Sequence, residues 1–248
     1  MSATTISREQ AAGKVMVALD YPDAASAETL LKQLEGIPCY MKVGMQLYYA
    51  AGPEFVRMLK ARGYRVFLDV KMHDIPNTVK GGAGSVTRLG VDMFNVHAAG
   101  GRDMMEAAME GVEEALAADA SLTKPTVIAV TQLTSTSEEV LNDEIGIPGT
   151  VAESVARYAL LAIASGLDGV VASPHEVGLV KDTCGPAFQT VTPGIRPAGA
   201  DIGDQSRIMT PQAALQAGTD FMVIGRPITR AADPRAALES IIEELIQA

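Results

Sequence analysis

The sequence predicts an α/β protein that folds as a single-domain (β/α)8 barrel, the TIM-barrel architecture, over residues 1–248. Short runs rich in β-forming residues recur eight times, and most of them precede a longer stretch with helical spacing. Each strand and helix together take about thirty residues, as in one βαβ unit. With 248 residues, 48% of them hydrophobic, the chain can bury one large core. A closed parallel barrel is therefore favoured over an open doubly wound sheet or two small domains.

The predicted strands are apolar runs of the kind that a parallel sheet buries on both faces. In chain order they cover 15–20, 39–44, 64–71, 92–98, 126–131, 168–173, 188–193 and 221–226. Amphipathic helices are predicted over 24–34, 54–61, 78–89, 102–117, 151–164, 175–182, 211–217 and 234–246. The polar residues 1–13 are predicted to extend ahead of the first strand. The Pro- and Gly-rich residues 192–206 are predicted to form a long loop, and such loops are usually functional.

Composition and charge exclude several classes of partner. The net charge is -10, there is no Lys/Arg cluster, and aromatic residues make up 4%, so nucleic acid is not expected as a partner. Cys39 and Cys184 lie far apart without a metal-binding spacing, which favours a reducing compartment over a disulfide or zinc framework. The first residues lack the apolar centre of a signal peptide, and no apolar run reaches about 18 residues. We therefore expect a cytoplasmic protein with no membrane partner.

Polar side chains concentrate at the C-terminal ends of the predicted strands. In a (β/α)8 barrel these ends meet at one rim, where the βα loops converge and the chemistry takes place. The residues are Asp20, Lys42, Asp69, Lys71, Asn95, His97, Thr131, Gln132, Ser173, His175, Thr192 and Arg226, with Gly225 directly before Arg226. Because solvation alone gives charged residues no reason to prefer one rim, this pattern predicts an active site there.

The stretch FLDVKMHDIPNTV, residues 67–79, carries charges where a strand runs into a helix. Residues two apart on a strand point to the same side, so Asp69 and Lys71 are expected to share a face, with Asp74 following at the turn. Lys42 ends the neighbouring strand, which predicts an alternating acid–base array. Nearby carboxylates keep a lysine protonated, so Lys71 is expected to be a proton donor and not a nucleophile. The alternative is an ion pair that only closes the rim of the barrel.

A set of ordered motifs gives the chain a specific resemblance. The DxKxxD pattern (Asp69, Lys71, Asp74) occurs with LDY at 19–21, KVG at 42–44, TQLTS at 131–135, PGIRP at 193–197 and IGRPIT at 224–229. This set resembles the orotidine 5'-phosphate decarboxylases of the bacterial type, in order along nearly the whole chain. DxKxxD alone marks a wider superfamily of phosphosugar-binding barrels, whereas the ordered set is highly specific.

The resemblance implies an enzyme that converts orotidine 5'-phosphate to uridine 5'-phosphate and CO2, the last step of de novo UMP synthesis, with no cofactor and no metal. It implies that Lys71 protonates C6 of the pyrimidine as CO2 leaves, with Asp69 beside the substrate carboxylate. Lys42 is expected to complete the array and contact the ribose, and Asp20 is another ribose contact. Met72 departs from the family, which more often has an aromatic residue there, and is expected to alter packing and not chemistry.

The resemblance also implies a homodimer with shared sites. Asp74 is expected to reach the active site of the other subunit, together with Ile75 and with Thr78 near the ribose hydroxyls. Thr134 is expected to meet the edge of the pyrimidine within the same chain.

The phosphate grip that the resemblance implies consists of Arg196, Gln205, Gly225 and Arg226. Elementary chemistry favours the same region, because arginine presents a forked set of donors to phosphate oxygens and barrels commonly hold phosphate in the loops after strands seven and eight. A glycine beside Arg226 lets the backbone approach an anion closely. The alternative for Arg226 is a salt bridge at the rim.

Two other functions remain open at this point. A magnesium-dependent barrel of the same superfamily, such as a hexulose phosphate synthase or a keto-gulonate phosphate decarboxylase, shares DxKxxD. Lys42 speaks against it, because an acidic residue is expected there in a metal-dependent member, and PGIRP also favours the pyrimidine enzyme. The second is a catalytically silent phosphate-binding barrel, which is expected to lose the lysine or one of the acids. No pair of histidines has metal-ligand spacing. His73 is expected to pack or hydrogen-bond, His97 to support the site structurally, and His175 to contact solvent or cap a helix.

Overall fold

The structure is a computed structural model that describes residues 6–198 and 208–248. Its eight parallel strands close into a barrel in chain order, with the last strand hydrogen-bonded to the first. The strands are β1 (Val15–Ala18), β2 (Tyr40–Gly44), β3 (Arg65–Met72), β4 (Met93–His97), β5 (Thr126–Val130), β6 (Gly169–Val171), β7 (Gln189–Thr192) and β8 (Phe221–Ile224). The predicted fold class is therefore confirmed, and each strand end lies within two residues of its prediction.

The helices cover the outside of the barrel. In the described ranges they are α1 (Arg8–Gly13), α2 (Ala24–Gln33), α3 (Met45–Ala61), α4 (Pro76–Arg88), α5 (Arg102–Ala118), α6 (Val151–Ala164), α7 (Val177–Cys184), α8 (Pro211–Gln216), α9 (Arg226–Thr229) and α10 (Pro234–Ile246). A short 3-10 turn, Pro174–Glu176, leads into α7. No helix in the described part of the chain is both long enough and apolar enough to cross a membrane.

Helices α1 and α3 differ from the prediction for identifiable reasons, and the short α9 was not predicted, because Arg226 was expected to end the last strand. α3 begins at Met45 and not at residue 54, because Gly52, with φ 68°, and Pro53 divide it into two segments of which only the second was predicted. The segment ahead of β1 contains α1, whose N-terminus is held by a capping box between Ser7 and Gln10. Since α1 buries two alanines against the barrel, residues 8–13 are part of the packed fold, whereas residues 1–5 of the predicted extension lie outside the described residues.

The core has two parts. The larger one lies between the outer faces of the strands and the helices. The smaller one fills the interior of the barrel with the side chains of Met16, Tyr40, Phe67, Met93, Ile128 and Val191. Because this interior is packed with side chains and is not a channel, the space for a ligand lies at the C-terminal mouth of the barrel.

Three aspartates connect neighbouring strands by hydrogen bonds at the opposite, N-terminal rim of the barrel. Each directly precedes an even-numbered strand, and its carboxylate accepts the backbone N–H of the second residue of the strand before it. The pairs are Asp92 with Val66 at 2.7 Å, Asp168 with Val127 at 2.8 Å, and Asp220 with Thr190 at 2.7 Å. A lysine pairs with each carboxylate, namely Lys60, Lys124 and Lys181 respectively. These hydrogen bonds and ion pairs join consecutive strands away from the mouth, so they stabilise the barrel without occupying space at its functional rim.

Candidate active site

Four charged side chains form one connected network at the mouth of the barrel. Lys42 Nζ lies 3.2 Å from Asp20 Oδ1 and 3.4 Å from Asp69 Oδ2. Lys71 Nζ lies 2.6 Å from the other carboxylate oxygen of Asp69, Oδ1. Each oxygen of Asp69 therefore faces one ammonium group, and the structure brings together the acid–base alternation that the strand ends predicted.

Burial and charge together set the state of the network. The side chain of Lys42 is 7% exposed and that of Asp69 is 14% exposed. Burial alone would raise the pKa of Asp69, but the charges of Lys42 and Lys71, with hydrogen bonds from Lys71 and Asn95, hold that pKa below its usual range. Asp69 is therefore a carboxylate at neutral pH, and it fixes negative charge directly beside the ammonium of Lys71.

The backbone around Lys71 departs from a regular strand. Lys71 has φ 50° and is the one non-glycine residue with positive φ in the described ranges. The register between β3 and β4 also shifts between Leu68 and Met72. The expectation that Asp69 and Lys71 meet because they alternate along an extended strand is therefore wrong in its reason. Their side chains do meet, but through a left-handed residue within a bulge.

Asn95 is a residue of the site to which sequence reasoning gave no role beyond its place at a strand end. It is fully buried on β4, its Nδ2 donates to Asp69 Oδ1 at 2.7 Å, and its Oδ1 accepts from the backbone N–H of Lys71 at 2.8 Å. The available signal was a polar amide inside the apolar strand MFNVH, because a buried amide requires partners.

A cavity of about 320 Å³ opens beside the network. Asp69 and Lys71 form its charged part, and Thr134, half-buried on the loop after β5, also lines it. The remaining lining residues are Phe67, Val130, Gln132, Leu133, Ser135, Val171, Ala172, Val191, Pro193 and Val223. A flat, partly apolar ring fits such a space better than a free sugar, because most of the wall offers no hydrogen-bonding group.

Two glycines border the network and differ in what they contribute. A Cβ atom at Gly44 would lie 3.0 Å from Lys42 Nζ and 3.4 Å from Asp20 Oδ1, so a side chain there would displace the ammonium. A Cβ atom at Gly225 would meet Ala18 Cβ at 3.4 Å and Asp20 Oδ2 at 3.9 Å, which are ordinary contacts. Packing therefore requires a glycine at 44 more than at 225.

The residues predicted to hold phosphate lie in the loops after β7 and β8 as far as the structure describes them. Arg196 is buried, and its Nη1 donates to the carbonyl of Ile195 at 2.8 Å. Arg226 follows Gly225 directly after β8 and is partly buried at the start of α9. Gln205 lies outside the described residues, as do residues 199–207 of the long loop as a whole.

Asp74, Ile75 and Thr78 lie apart from the network of their own chain. All three are exposed at the start of α4, Ile75 at 66%. Asp74 accepts the backbone N–H of Ile75 at 2.7 Å, and in the ranges described it forms no ion pair. The structure thus leaves Asp74 out of the array formed by the other three charges of the prediction, and it places the segment where a second molecule can contact it.

Two histidine rings near the mouth lie in contact at a tilt. The ring centroids of His73 and His97 are 5.6 Å apart with an interplanar angle of 33°. Burial, and then the charges of His73 and Lys71, hold the pKa of His97 below its usual range against the opposing effect of Asp69. His97 is therefore neutral at neutral pH. Among the residues that the structure describes, no group of three or more His, Cys, Asp or Glu residues is arranged to hold a metal ion.

The closed barrel and its buried charged array define the class of the chain: a (β/α)8 barrel with its chemical site at the C-terminal mouth. More specifically, the chain belongs to the Orotidine 5'-phosphate decarboxylase / HUMPS family, whose family model matches residues 13–241. The resemblance drawn from DxKxxD and its companion motifs is confirmed.

Individual relatives agree over nearly the full length. The chain is 54% identical over 238 residues to an orotidine 5'-phosphate decarboxylase of Moorella thermoacetica, which covers 96% of this chain and 94% of the relative. It is 51% identical over 229 residues to that of Geobacillus thermodenitrificans, with 92% and 95% covered. The crystal structure of orotidine 5'-phosphate decarboxylase from Lactobacillus acidophilus matches with a TM-score of 0.83 and 42% identity, covering 93% of this chain and 98% of that one. An uncharacterized conserved protein from Geobacillus kaustophilus matches with a TM-score of 0.83 and 45% identity, covering 93% and 99%.

Proposed function

We propose that the protein is a cofactor-independent carboxy-lyase that converts orotidine 5'-phosphate to uridine 5'-phosphate and CO2. The observation that carries this proposal is the Asp20–Lys42–Asp69–Lys71 network beside a largely apolar cavity. The relatives at 54% and 51% identity carry the name of this activity, which supports the choice of substrate. We further propose that residues 1–248 act as one barrel domain, since the family model spans 13–241.

Lys71 is the proposed proton donor. When the bond between C6 and the carboxylate breaks, its electron pair stays on C6, which has no neighbouring carbonyl to accept it. A fixed positive charge at that position lowers the barrier because it stabilises the developing carbanion. Lys71 supplies that charge, and its proton then forms the C6–H bond of the product. The ionised Asp69 lies 2.6 Å from the Lys71 ammonium and holds it in place for that step, and water restores the proton after it.

Asp69 is proposed to act on the substrate carboxylate. Two carboxylates held close together repel each other, and the repulsion is relieved as CO2 leaves. The larger contribution is assigned to preorganisation, because Lys42 and Asn95 hold Asp69 in place before the substrate binds. The apolar part of the cavity strengthens these charge effects, since electrostatic interactions grow as the local dielectric constant falls.

The remaining site residues are proposed to bind the nucleotide. Thr134 meets the pyrimidine edge, while Asp20 and Lys42 contact the ribose. The phosphate is assigned to Arg196 and Arg226 in the loops after β7 and β8, together with Gln205 and Gly225. Because the phosphate is remote from C6, its binding energy orients the ring and is available to lower the barrier at the reacting carbon.

We propose a homodimer in which Asp74, Ile75 and Thr78 complete the site of the partner. The support is their exposure at the start of α4 and the apolar side chains exposed nearby on the same rim, Met45 at 44% and Tyr49 at 73%. Burying such side chains between two copies is favourable by about 25 cal/mol per Å² of apolar surface. No nucleic acid or membrane partner is part of this proposal.

The test is conversion of orotidine 5'-phosphate, followed by its ultraviolet absorbance, before and after exhaustive treatment with a strong chelator. The proposal predicts equal rates and formation of uridine 5'-phosphate. A rate that falls in chelator and returns with added Mg²⁺ would instead assign the protein to the magnesium-dependent barrels. No conversion in either condition would leave a phosphate-binding barrel without catalysis, and affinity for uridine 5'-phosphate would then be its remaining property.

A further inference from the structure

Asn95 occupies an unusual position in the barrel. The ladder between β3 and β4 pairs Leu68 with Phe94 and then Met72 with Val96. Between those pairs, three residues of β3 (69–71) lie opposite the single residue Asn95 of β4. The regular backbone pairing is therefore interrupted at this point, and the side chain of Asn95 forms the contacts that bridge the gap.

The amide of Asn95 uses both of its ends on the charged network. Its Oδ1 accepts from the backbone N–H of Lys71 at 2.8 Å, and its Nδ2 donates to Asp69 Oδ1 at 2.7 Å. That same oxygen of Asp69 accepts from Lys71 Nζ at 2.6 Å. These three bonds form a closed ring that joins the backbone of Lys71, its ammonium group, the carboxylate of Asp69 and the buried amide.

The ring accounts for the conformation of Lys71. A residue with a long side chain rarely adopts a φ of 50°. Such conformations persist where the surroundings determine them, and they concentrate at functional sites. Because the N–H of Lys71 donates to Asn95 in this conformation, the amide holds the direction in which the lysine side chain leaves the strand.

We propose that Asn95 is a positioning residue for the reaction proposed above, and this inference rests on that function. It acts through two other groups: it holds the left-handed backbone of Lys71, and it orients the carboxylate of Asp69 by donating to it. Without the amide, both the proton donor and its counter-charge lose their fixed geometry, although the barrel retains its other strand contacts. A displacement of about 1 Å at such groups costs about 100-fold in rate.

Two substitutions separate the positioning role from a purely structural one. Asn95→Asp keeps an oxygen that accepts from the Lys71 N–H but replaces the donor that faces Asp69. The charged groups around the introduced carboxyl are Asp69 and Lys71 of β3, with Lys42 beyond Asp69, and the titratable His97 lies on β4 itself. Asn95→Ser is smaller and cannot reach both partners at once. Thr87→Val is the control, because Thr87 is equally buried but bonds only to its own helix α4 through the carbonyl of Ala83.

The expected result has three parts. At pH 7 to 8 both Asn95 variants lose about 100-fold in kcat, while KM stays within about threefold, because Asn95 acts on the reacting groups and not on ribose or phosphate. As the pH falls, the activity of Asn95→Asp relative to wild type rises, because a protonated carboxyl again donates to Asp69. Asn95→Ser shows no such rise, and Thr87→Val keeps the wild-type kcat.

The outcomes distinguish this inference from the proposed function. If wild-type protein does not convert orotidine 5'-phosphate, the proposed function fails and the role of Asn95 fails with it. If wild type is active and either variant keeps kcat within about threefold at pH 7 to 8, positioning by Asn95 is overturned. It is also overturned if Asn95→Asp loses activity without any relative gain at low pH, or if kcat falls only in proportion to folded protein as measured by circular dichroism. Should Asn95→Asp fail to fold, the kcat and KM of Asn95→Ser decide.

Discussion

Replacing Lys42 with methionine tests how much the buried network depends on its central cation. Methionine preserves most of the length and the apolar stem of the side chain and removes the charge. Lys80 offers a matched control, because it also pairs with two carboxylates, at 3.2 and 2.7 Å, but its side chain is 30% exposed against 7% for Lys42. The two substitutions therefore differ mainly in burial.

The magnitudes follow from the distances. At an effective dielectric constant of about 20, each attraction at 3.2 or 3.4 Å is worth about 5 kcal/mol before the cost of desolvation. Breaking a buried pair costs about 3–5 kcal/mol. Asp69 keeps its bonds from Lys71 and Asn95 after the change, so we expect the lower end, about 3 kcal/mol. Lys80→Met is expected to cost much less than Lys42→Met, since the pairs of Lys80 are exposed to solvent.

Urea unfolding at one fixed protein concentration measures both values. Thermal unfolding gives a second measure. A loss of about 3 kcal/mol in Lys42→Met is expected to lower the thermal midpoint by about 6–12 °C, at about 2–4 °C per kcal/mol for a chain of this size. Equal losses for the two variants, with unchanged m-values, would show that burial does not strengthen the Lys42 pairs.

Wild type and Lys42→Met are also expected to differ in how their free energy of unfolding depends on pH. In wild type the folded-state pKa of Asp69 lies below its usual value, so its carboxylate adds stability above the unfolded pKa and loses that contribution as the pH falls through the folded value. Because Lys42 is one cause of that lowered pKa, the stability gap between wild type and Lys42→Met should narrow as the pH falls below about 4. A gap that widens in acid would contradict the assignment.

Three further changes test other parts of the structure. Gly111→Ala places a Cβ atom 2.1 Å from the carbonyl oxygen of Lys80, so it should force α4 and α5 apart and cost about 1–3 kcal/mol or more by urea unfolding; an unchanged midpoint would contradict that contact. Asp220→Asn keeps an acceptor at the N-terminal rim but loses its charge. It is expected to lower the free energy of unfolding by about 1.5–3 kcal/mol and to leave kcat unchanged. Arg226→Ala should lower kcat/KM about tenfold to 150-fold through loss of phosphate binding, which steady-state kinetics measures; unchanged values would remove Arg226 from the phosphate site.

The barrel itself could be predicted because its pattern is local and repeated. Each strand is a short apolar run followed by helical spacing, so the local preference of each segment agrees with the structure that it adopts in the packed fold. The sequence did not predict α1 or the first half of α3, for two different reasons. The residues of α1 look polar although Ser7 and Gln10 form a capping box, and Gly52 with Pro53 interrupts the helical pattern of α3.

The sequence predicted which residues form most of the charged network, but it did not predict the backbone geometry that brings them together. Lys42, Asp69 and Lys71 end adjacent strands, which is enough to bring their side chains together. The left-handed backbone of Lys71 occurs at a register shift opposite Asn95, and such a shift arises from the pairing of two strands that α4 separates in sequence. Periodicity along a single strand carries no signal of it.

Asp74 shows a different limit. Its neighbours predict a charge near the array, yet it lies exposed at the start of α4, outside the ion-pair network of its own chain. One chain cannot encode where a second copy will sit, so the proposed contribution of Asp74 to the site depends on assembly.

Proton donation from Lys71 to C6 is the step on which the proposed function depends. The most direct measurement is the single-turnover rate of Lys71→Ala with orotidine 5'-phosphate, in chelator, beside the affinity of the same variant for uridine 5'-phosphate. We predict a loss of at least about 10³-fold in the chemical step, within the range for a general acid that also supplies the stabilising charge, with product affinity changed by less than about tenfold. A variant that turns over within about tenfold of wild type would show that another group protonates the product.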